Sequence, residues 1–221
     1  GWAMRLVPYA VFGMVAALVL SVGLQSMASL LVYMGVVVLG LLVLLILYLL
    51  AVTLLGKRSP WKFLAAVREA QLLAFATTSS AAVMPLTMKT ADEKLGISSK
   101  VSDFIIPIGA TINMDGTAIF QCVTTVFIAQ AYGMELPISQ LLLVMVTILA
   151  ASIGTPAVPG GGVVVMASVL QSAGIPAEGL MLIIGVDRIL GMFRTAINVT
   201  GDLVACVLFQ RWITPEKVNQ T

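Results

Sequence analysis

Four polar side chains share one face of the last apolar segment of the chain. Asp187, Arg194, Asn198 and Asp202 lie within roughly 80° of one another at the turn angle of an α-helix, and Thr195 lies in or beside that sector. A lone charge at mid-bilayer is costly, so such residues face a bundle interior or a wet cavity and usually have a function. A ladder of ion pairs that only holds helices together is the alternative interpretation.

These residue types suit the binding of a small anion. Arg194 carries a planar guanidinium that can hold a carboxylate through two parallel hydrogen bonds. Asn198, Thr117 and the hydroxyl of Ser79 or Ser80 could orient the rest of a small substrate.

A second set of residues suits a hard cation. Asp202, Asn113 and Asp115, with main-chain carbonyls freed by local unwinding, offer oxygen ligands, which favour Na⁺ over a transition metal. Open carbonyls at 152–155 could form another cation site, and Met114 is the one methionine placed to take part. A proton is the alternative coupling ion, because a buried carboxyl group can also take up H⁺.

Composition places these residues in a membrane protein. The chain has 221 residues, 60% hydrophobic and 10% charged, whereas soluble domains average about 25% charged residues. The net charge of +2 does not suggest a nucleic-acid partner. With no His and two isolated Cys, no zinc, haem or iron–sulfur site is expected.

The first part of the chain predicts two spanning helices. Apolar runs at 6–24 and 30–55 are long enough to cross a bilayer, and Gln25-Ser26 reads as their connection. The basic stretch 56–68 reads as a polar loop that leads into an amphipathic segment.

The middle of the chain predicts a re-entrant hairpin at about 69–90. A run of small hydroxyl residues at 77–80 makes a poor spanning helix but suits a hairpin tip, whose main-chain groups need protein, water or ligand as partners. A mobile loop is expected at 89–103.

The last part repeats this arrangement. An apolar helix at 104–131 is interrupted at 109–117 by Asn, Asp, Thr and Gly residues, which indicates a broken helix. A second re-entrant hairpin is predicted at 138–171, with its tip at 152–162, and an amphipathic helix at 175–212 ends the chain. Paired hairpins and broken helices that meet near the midplane are typical of secondary transporters. The fold class is therefore all-α.

Basic residues set the expected topology. The connections at 56–68 and 89–103 hold seven of the twelve Lys and Arg residues, and Arg5, Arg211 and Lys217 would lie on the same side. By the positive-inside rule this side is cytoplasmic, so the first hairpin opens from the cytoplasm and the second from outside.

Four motifs in order resemble the excitatory amino acid transporter family, the dicarboxylate/amino acid:cation symporters. They are Asn113–Thr117 (NMDGT), Ala151–Thr155 (ASIGT), Val158–Gly160 (VPG) and Arg194–Asp202 (RTAINVTGD). The resemblance covers essentially the whole chain.

The resemblance implies a homotrimer in which a transport domain, here residues 57–221, slides past a scaffold that includes helices of residues 1–56. It also implies that the second hairpin is the extracellular gate. The candidates for binding substrate are Thr78, Ser79, Ser80, Thr117, Val158, Gly162, Asp187, Arg188, Arg194, Thr195 and Asn198. The candidates for binding Na⁺, in three sites, are Gly109, Thr111, Asn113, Met114, Asp115, Ser152, Ile153, Thr155, Asn198 and Asp202.

Three departures from the family pattern bear on these expectations. Gly191 stands where amino-acid transporters of the family have an aspartate that binds the substrate's α-amino group, and C4-dicarboxylate carriers also lack that aspartate. Thr78 occupies a position where some members have Arg, and the guanidinium of Arg188 in the last helix could occupy the same space. Family members also have further spanning helices before this segment, so this chain resembles the C-terminal portion of a longer protein and would need those helices as partners.

The expected function is Na⁺-coupled symport of glutamate or aspartate, by elevator-type alternating access, in a bacterial inner membrane. The alternatives are a C4-dicarboxylate symporter coupled to Na⁺ or H⁺ and, less favoured, an anion channel. No enzymatic activity and no catalytic residue are expected. An intramembrane aspartyl protease does not fit, because the residues around Asp115, Asp187 and Asp202 do not match a GxGD site and Arg194 would keep a neighbouring carboxylate ionised.

Overall fold

A computed structural model describes residues 2–213, and before Ala28 it describes the side chains of only a few positions. All regular elements in this part of the chain are helical, and three of its helical stretches are long and apolar enough to cross a membrane. Residues 214–221, which include Lys217 and the end of the predicted transport domain, lie outside the described residues, as does the Arg5 side chain.

The first element corrects the prediction of two helices. Helix α1 runs without interruption over Trp2–Leu54, through the predicted connection at Gln25-Ser26. Neither residue breaks a helix as Gly or Pro does, since each costs well under 1 kcal/mol relative to Ala. The apolar stretch that could span a membrane is Ala28–Leu54.

Two antiparallel helices follow at the position of the first predicted hairpin. Helix α2 covers Pro60–Thr77 and helix α3 covers Ser80–Lys89. Proline opens α2 at a position where its missing N–H is not needed, so the predicted loop at 56–68 is mostly helix and the hairpin begins earlier than 69. Thr78 ends α2 in the left-handed conformation (φ 53°), and the Ser79 hydroxyl caps α3 by accepting from the N–H of Ala82 at 3.2 Å.

The loop expected at 89–103 is wrong. A single π-helical turn, Thr90–Lys94, continues directly from α3, and helix α4 begins at Ser99. The Asp92 carboxylate accepts hydrogen bonds from Ser99 and Ser102 of α4, so this connection is ordered by side chains that reach forward along the chain.

The predicted broken helix is confirmed, with a narrower break. Helix α4 covers Ser99–Ile112 and helix α5 covers Asp115–Ala131. Only Asn113 and Met114 leave the helical conformation, with ψ values of 62° and 49°.

A second pair of helices lies at the position of the second predicted hairpin. Helix α6 covers Ile138–Ser152 and helix α7 covers Gly161–Ser172. A 3₁₀ turn at Ala177–Leu182 leads into the last helix, α8, at Ile184–Ile213.

Helix α8 forms the centre of the molecule and packs against α1, α2, α4 and α5. Its buried positions include both apolar residues and the polar series predicted to share one face: Asp187, Arg194, Thr195, Asn198 and Asp202. The polar face of α8 is therefore buried within the bundle.

The close packing of α1 on α5 gives a stability prediction. A Cβ at Gly40 would lie 2.8 Å from the Ile119 Cγ2, whereas Gly35 in the same helix has nothing within 4 Å. We expect Gly40→Ala to lower the stability of the purified protein by about 1 kcal/mol, because overpacking forces the helices to shift. Gly35→Ala is the control, and it should leave stability unchanged or slightly raised. Equal effects of the two changes on the melting temperature would contradict this packing.

Candidate functional site

A small polar cavity lies where both hairpins meet α5 and α8. Its volume is about 20 Å³, room for about one water molecule. The predicted substrate residues that line it are Thr78, Ser80, Thr117, Val158, Gly162, Arg194, Thr195 and Asn198. Residues from four separate parts of the sequence are thus brought to one point.

The N-termini of three helices point to this cavity. Ser80 is the first residue of α3, Thr117 the third of α5 and Gly162 the second of α7, and all three line it. A helix N-terminus carries unpaired N–H groups and a partial positive charge, which favour an anion. The sequence indicated the helix breaks but not that their N-termini converge.

Arg194 adds a full positive charge to the same cavity. The residue is 6% exposed, and its guanidinium stacks on the Phe120 ring at 4.4 Å. Nη1 forms an ion pair with Oδ1 of Asp187 at 3.5 Å, which is too far for a good hydrogen bond, and Nη1 has no hydrogen-bond partner in the described protein. A buried charged N–H without a hydrogen-bond acceptor is costly, and a carboxylate in the cavity would supply the acceptor.

The tip of the second hairpin lies directly on this guanidinium. A Cβ at Gly162 would lie 2.8 Å from Nη1 of Arg194, so a side chain there would displace the guanidinium. The two hairpin tips also join each other, because the carbonyl of Ala157 accepts from the Ser79 hydroxyl at 2.9 Å and from the N–H of Ala81 at 3.3 Å. Ser79 therefore links the hairpins and does not line the cavity.

Arg188 reaches the first hairpin from α8. Its Nη1 donates a hydrogen bond to the Thr78 hydroxyl, which places the guanidinium beside the cavity wall, as the sequence had suggested. Between Thr78 and Arg194 there is room for a Cβ at Gly191 in ordinary van der Waals contact: it would lie 3.6 Å from Nη2 of Arg194 and 4.0 Å from Cγ2 of Thr78. The Thr195 hydroxyl is engaged with the Gly191 carbonyl at 2.8 Å.

Asn198 connects α8 to the start of α5. Its Oδ1 accepts from the N–H of Gly116 at 2.9 Å and its Nδ2 donates to the Thr117 hydroxyl at 3.0 Å. One amide therefore caps the broken helix and also lines the cavity.

Three residues predicted for the first cation site lie close together beside the break. Asp202 is 2% exposed, its Oδ1 accepts from Nδ2 of Asn113 at 3.2 Å, and a Cβ at Gly109 would collide with its carboxylate. No salt bridge to Asp202 or Asp115 occurs among the described residues. Two carboxylates without a basic partner, next to the C-terminal carbonyls of α4, are suited to a cation.

Tyr48 is a further member of this region that the sequence did not reveal. Its hydroxyl donates to Oδ2 of Asp115 at 2.7 Å. Among the apolar residues of α1 nothing distinguished this tyrosine from a packing residue, and the same holds for Phe120 in α5. Ala157, whose carbonyl joins the hairpins, acts through its main chain and leaves no signal in the sequence.

The side chains of the other predicted cation ligands do not come together at one point. Met114 is buried at the helix break and lines the polar cavity, as does Thr155. The hydroxyls of Thr111, Ser152 and Thr155 each donate to a carbonyl of their own segment, and the Ile153 side chain is exposed. A site there would depend on main-chain carbonyls, as the sequence indicated.

No group of three or more His, Cys, Asp or Glu side chains comes together within residues 2–213. A larger cavity, about 960 Å³ between α1 and α5, is lined mainly by apolar side chains, and neither Arg194 nor Asp202 lines it. The chemistry therefore belongs to the polar cavity and the helix break.

A helical membrane protein with an anion cavity beside a cation-type cluster is a transporter-like arrangement, and comparison with known proteins identifies the family. The profile of the sodium:dicarboxylate symporter family matches residues 1–212. The chain therefore belongs to the sodium:dicarboxylate symporter family.

Relatives of several substrate classes are similar to this chain. The proton/sodium-glutamate symport protein of Bacillus subtilis is 39% identical over 209 residues, 95% of this chain and 48% of that protein. Excitatory amino acid transporter 3 of Mus musculus is 44% identical over 146 residues, 66% of this chain and 28% of that protein. Neutral amino acid transporter B(0) of Rattus norvegicus is 40% identical over 165 residues, 75% of this chain and 30% of that protein. The chain thus spans half or less of the length of these relatives, which are transporters and not enzymes.

The double contact of Asn198 with α5 gives a prediction. Asn198→Ala leaves the N–H of Gly116 and the Thr117 hydroxyl without this partner, so we expect a loss of about 2–3 kcal/mol in stability without substrate or Na⁺. Thermal unfolding of the full-length protein measures it. Gln140→Ala, which removes a single amide bond to the Ala173 carbonyl, is the control and should lose less; a loss at Asn198 no larger than this would contradict the proposed cap.

Proposed function

We propose that this chain provides the substrate and coupling-ion sites of a secondary active symporter that carries a small acidic substrate, glutamate or aspartate, with Na⁺. The observation that carries the proposal is the buried guanidinium of Arg194, whose Nη1 has no hydrogen-bond partner in the described chain and which lies beside a cavity lined by three helix N-termini.

The cavity's electrostatics favour an acidic substrate. Family membership alone does not decide this, because the relatives include a neutral amino acid transporter. A guanidinium and three positive helix ends all favour a carboxylate, and the hydroxyl of Thr117 and the amide of Asn198 provide neutral hydrogen-bonding groups for the rest of a small molecule. Arg188 adds a second positive charge close to the cavity wall through Thr78.

The cluster of Asn113, Asp115 and Asp202 at the helix break, called the cation cluster below, supports Na⁺ coupling. Asp202 and Asp115 have no salt bridge in residues 2–213, and the ligand types around them are carboxylate, amide and carbonyl oxygens, which suit a hard cation. In this proposal Gly109, Asn113, Asn198 and Asp202 form one Na⁺ site. A second would use main-chain carbonyls of Thr111, Ser152, Ile153 and Thr155, and a third would include Asp115. The Bacillus subtilis relative is named as a proton/sodium symporter, so H⁺ is retained as the alternative coupling ion.

The hairpins would be the gates of this site. The cavity of about 20 Å³ is too small for an amino acid, and its walls include Ser80 of one hairpin and Gly162 of the other. Entry of a substrate therefore requires a hairpin tip to move, and α6–α7 would be the extracellular gate. We further propose a homotrimer in a bacterial inner membrane, with partner helices from the part of the relatives' length that this chain does not cover. Residues 57–221 would move as an elevator, together with the part of α1 that packs against α8.

A C4-dicarboxylate is the second candidate substrate, and Gly191 favours it. Gly191, which lies beside Arg194, supplies no carboxylate that could bind an α-amino group. A substrate without an amino group, such as succinate or fumarate, needs none.

Uptake by the full-length protein in proteoliposomes tests the proposal. Labelled aspartate, glutamate, succinate and fumarate are offered with and without an inward Na⁺ gradient, and a pH gradient is tested separately. We expect Na⁺-driven accumulation of at least one acidic substrate. Uptake driven only by the pH gradient would overturn the coupling ion, and no uptake of any acidic substrate would overturn the function.

Arg194→Cys should abolish this uptake, because it removes the one guanidinium that lines the cavity. We expect a loss of at least a hundredfold in acidic substrate transport, as for a charged, buried hydrogen-bonded pair. Arg58→Cys, which removes a guanidinium bonded to the Leu95 carbonyl far from the cavity, is the matched control. Unchanged uptake by Arg194→Cys would rule out its role.

Gly191→Asp should raise the preference for an amino acid over its deamino analogue. The new carboxylate would lie between Thr78 and Arg194. One hydrogen bond from a charged amino group to this carboxylate is equivalent to about tenfold in affinity. The ratio of aspartate to succinate affinity measures this effect. Gly191→Asn, of equal size but uncharged, is the control, and the same ratio in both variants would mean that the amino group is bound elsewhere.

A further inference from the structure

The Tyr48 side chain of α1 forms a hydrogen bond with Asp115, one of the two carboxylates at the α4–α5 break. The phenol hydroxyl donates to Oδ2 at 2.7 Å. A hydrogen bond to a carboxylate is shorter and stronger than one between neutral groups, so it fixes which way the carboxylate turns. Because a phenol presents one O–H, it leaves the other oxygen, Oδ1, free for a further partner.

The backbone around Tyr48 makes room for this hydroxyl. A Cβ at Gly201 in α8 would lie 2.5 Å from the Tyr48 hydroxyl oxygen and 2.9 Å from Nδ2 of Asn113. Any side chain at Gly201 would therefore displace both groups. Asn113 in turn donates to Asp202, so Tyr48, Gly201 and Asn113 pack together and link the two carboxylates.

Asp115 is otherwise weakly held. It is the first residue of α5, and no other hydrogen bond or salt bridge to its carboxylate occurs in the described residues. Without the phenol the carboxylate would be free to rotate away from the helix break. Groups that hold a metal ligand in place affect affinity strongly, typically by ten- to a hundredfold.

We propose that Tyr48 is a positioning residue for Na⁺ binding: its hydroxyl holds the Asp115 carboxylate toward the cation cluster at the α4–α5 break, and Gly201 provides the space. This inference rests on the proposed Na⁺ coupling. It assigns a role in ion affinity to α1, a helix for which the sequence suggested only scaffold or peripheral packing.

The test is Na⁺-dependent thermal stabilisation of the purified full-length protein, with ionic strength held constant by choline chloride. A ligand that binds only the folded state raises the free energy of unfolding by RT ln(1 + [L]/Kd). Fitting this rise over a range of Na⁺ concentrations therefore gives the Na⁺ concentration at half-saturation, the Na⁺ midpoint, without a transport measurement. We expect Tyr48→Phe, which removes one oxygen and keeps the ring, to raise that concentration roughly tenfold or more. The substrate KM at saturating Na⁺ should change much less.

Tyr33→Phe is the matched control. It removes another hydroxyl that α1 shares with α5, the one hydrogen-bonded to Thr124 at 2.9 Å, but this partner is no carboxylate. The Na⁺ midpoint of Tyr33→Phe should match that of the wild type. An equal shift of the Na⁺ midpoint in both variants would mean that Tyr48 acts only through packing, and would overturn the proposal.

Gly201→Ala perturbs the same contact from α8, and it replaces Tyr48→Phe in the test if that variant does not fold. Its methyl group would displace the phenol hydroxyl, so it should raise the Na⁺ midpoint in the same direction. An unchanged midpoint in whichever variant folds overturns the role of Tyr48. A wild-type protein that Na⁺ does not stabilise overturns the coupling ion itself, and the inference with it.

Discussion

The structure depends on helix ends that lie inside the bundle. In a membrane every main-chain polar group needs a partner, yet α3, α5 and α7 begin, and α4 and α6 end, near the polar face of α8. Unpaired N–H groups at the starts and unpaired carbonyls at the ends must be matched by polar side chains or by ligands. This requirement explains why so many polar residues of α8 are buried, and why anion- and cation-type sites occur side by side.

The two sites share residues, which gives a physical route for coupling. Asn198 lines the anion cavity and caps α5 through Gly116. Asp202, one helical turn further along α8, contacts Asn113 at the break. In the proposed symporter, a cation bound at the break would therefore also fix the N-terminus of α5 at the anion cavity, and by linkage an anion would strengthen cation binding by the same factor.

Much of this arrangement could be predicted from the sequence, because its signals are local. Hydroxyl and glycine residues within apolar runs marked both hairpins and the broken helix, and the helical periodicity placed Arg194, Asn198 and Asp202 on one face. The continuity of α1 was missed because Gln25-Ser26 is polar but does not break a helix. The π turn at Thr90–Lys94 was missed because its order comes from Asp92 bonds to α4. Tyr48, Phe120 and the Ala157 carbonyl act through contacts distant in sequence, for which residue type alone gives no signal.

The central claim is that one unit binds an acidic substrate and Na⁺ together, and calorimetric binding of aspartate or succinate to the purified full-length protein at several Na⁺ concentrations tests it most directly. The account predicts that affinity for the acidic substrate rises steeply with Na⁺ and is weak when choline replaces it. Equal affinity with and without Na⁺ would contradict the account, because the α4–α5 break would then not link the two sites.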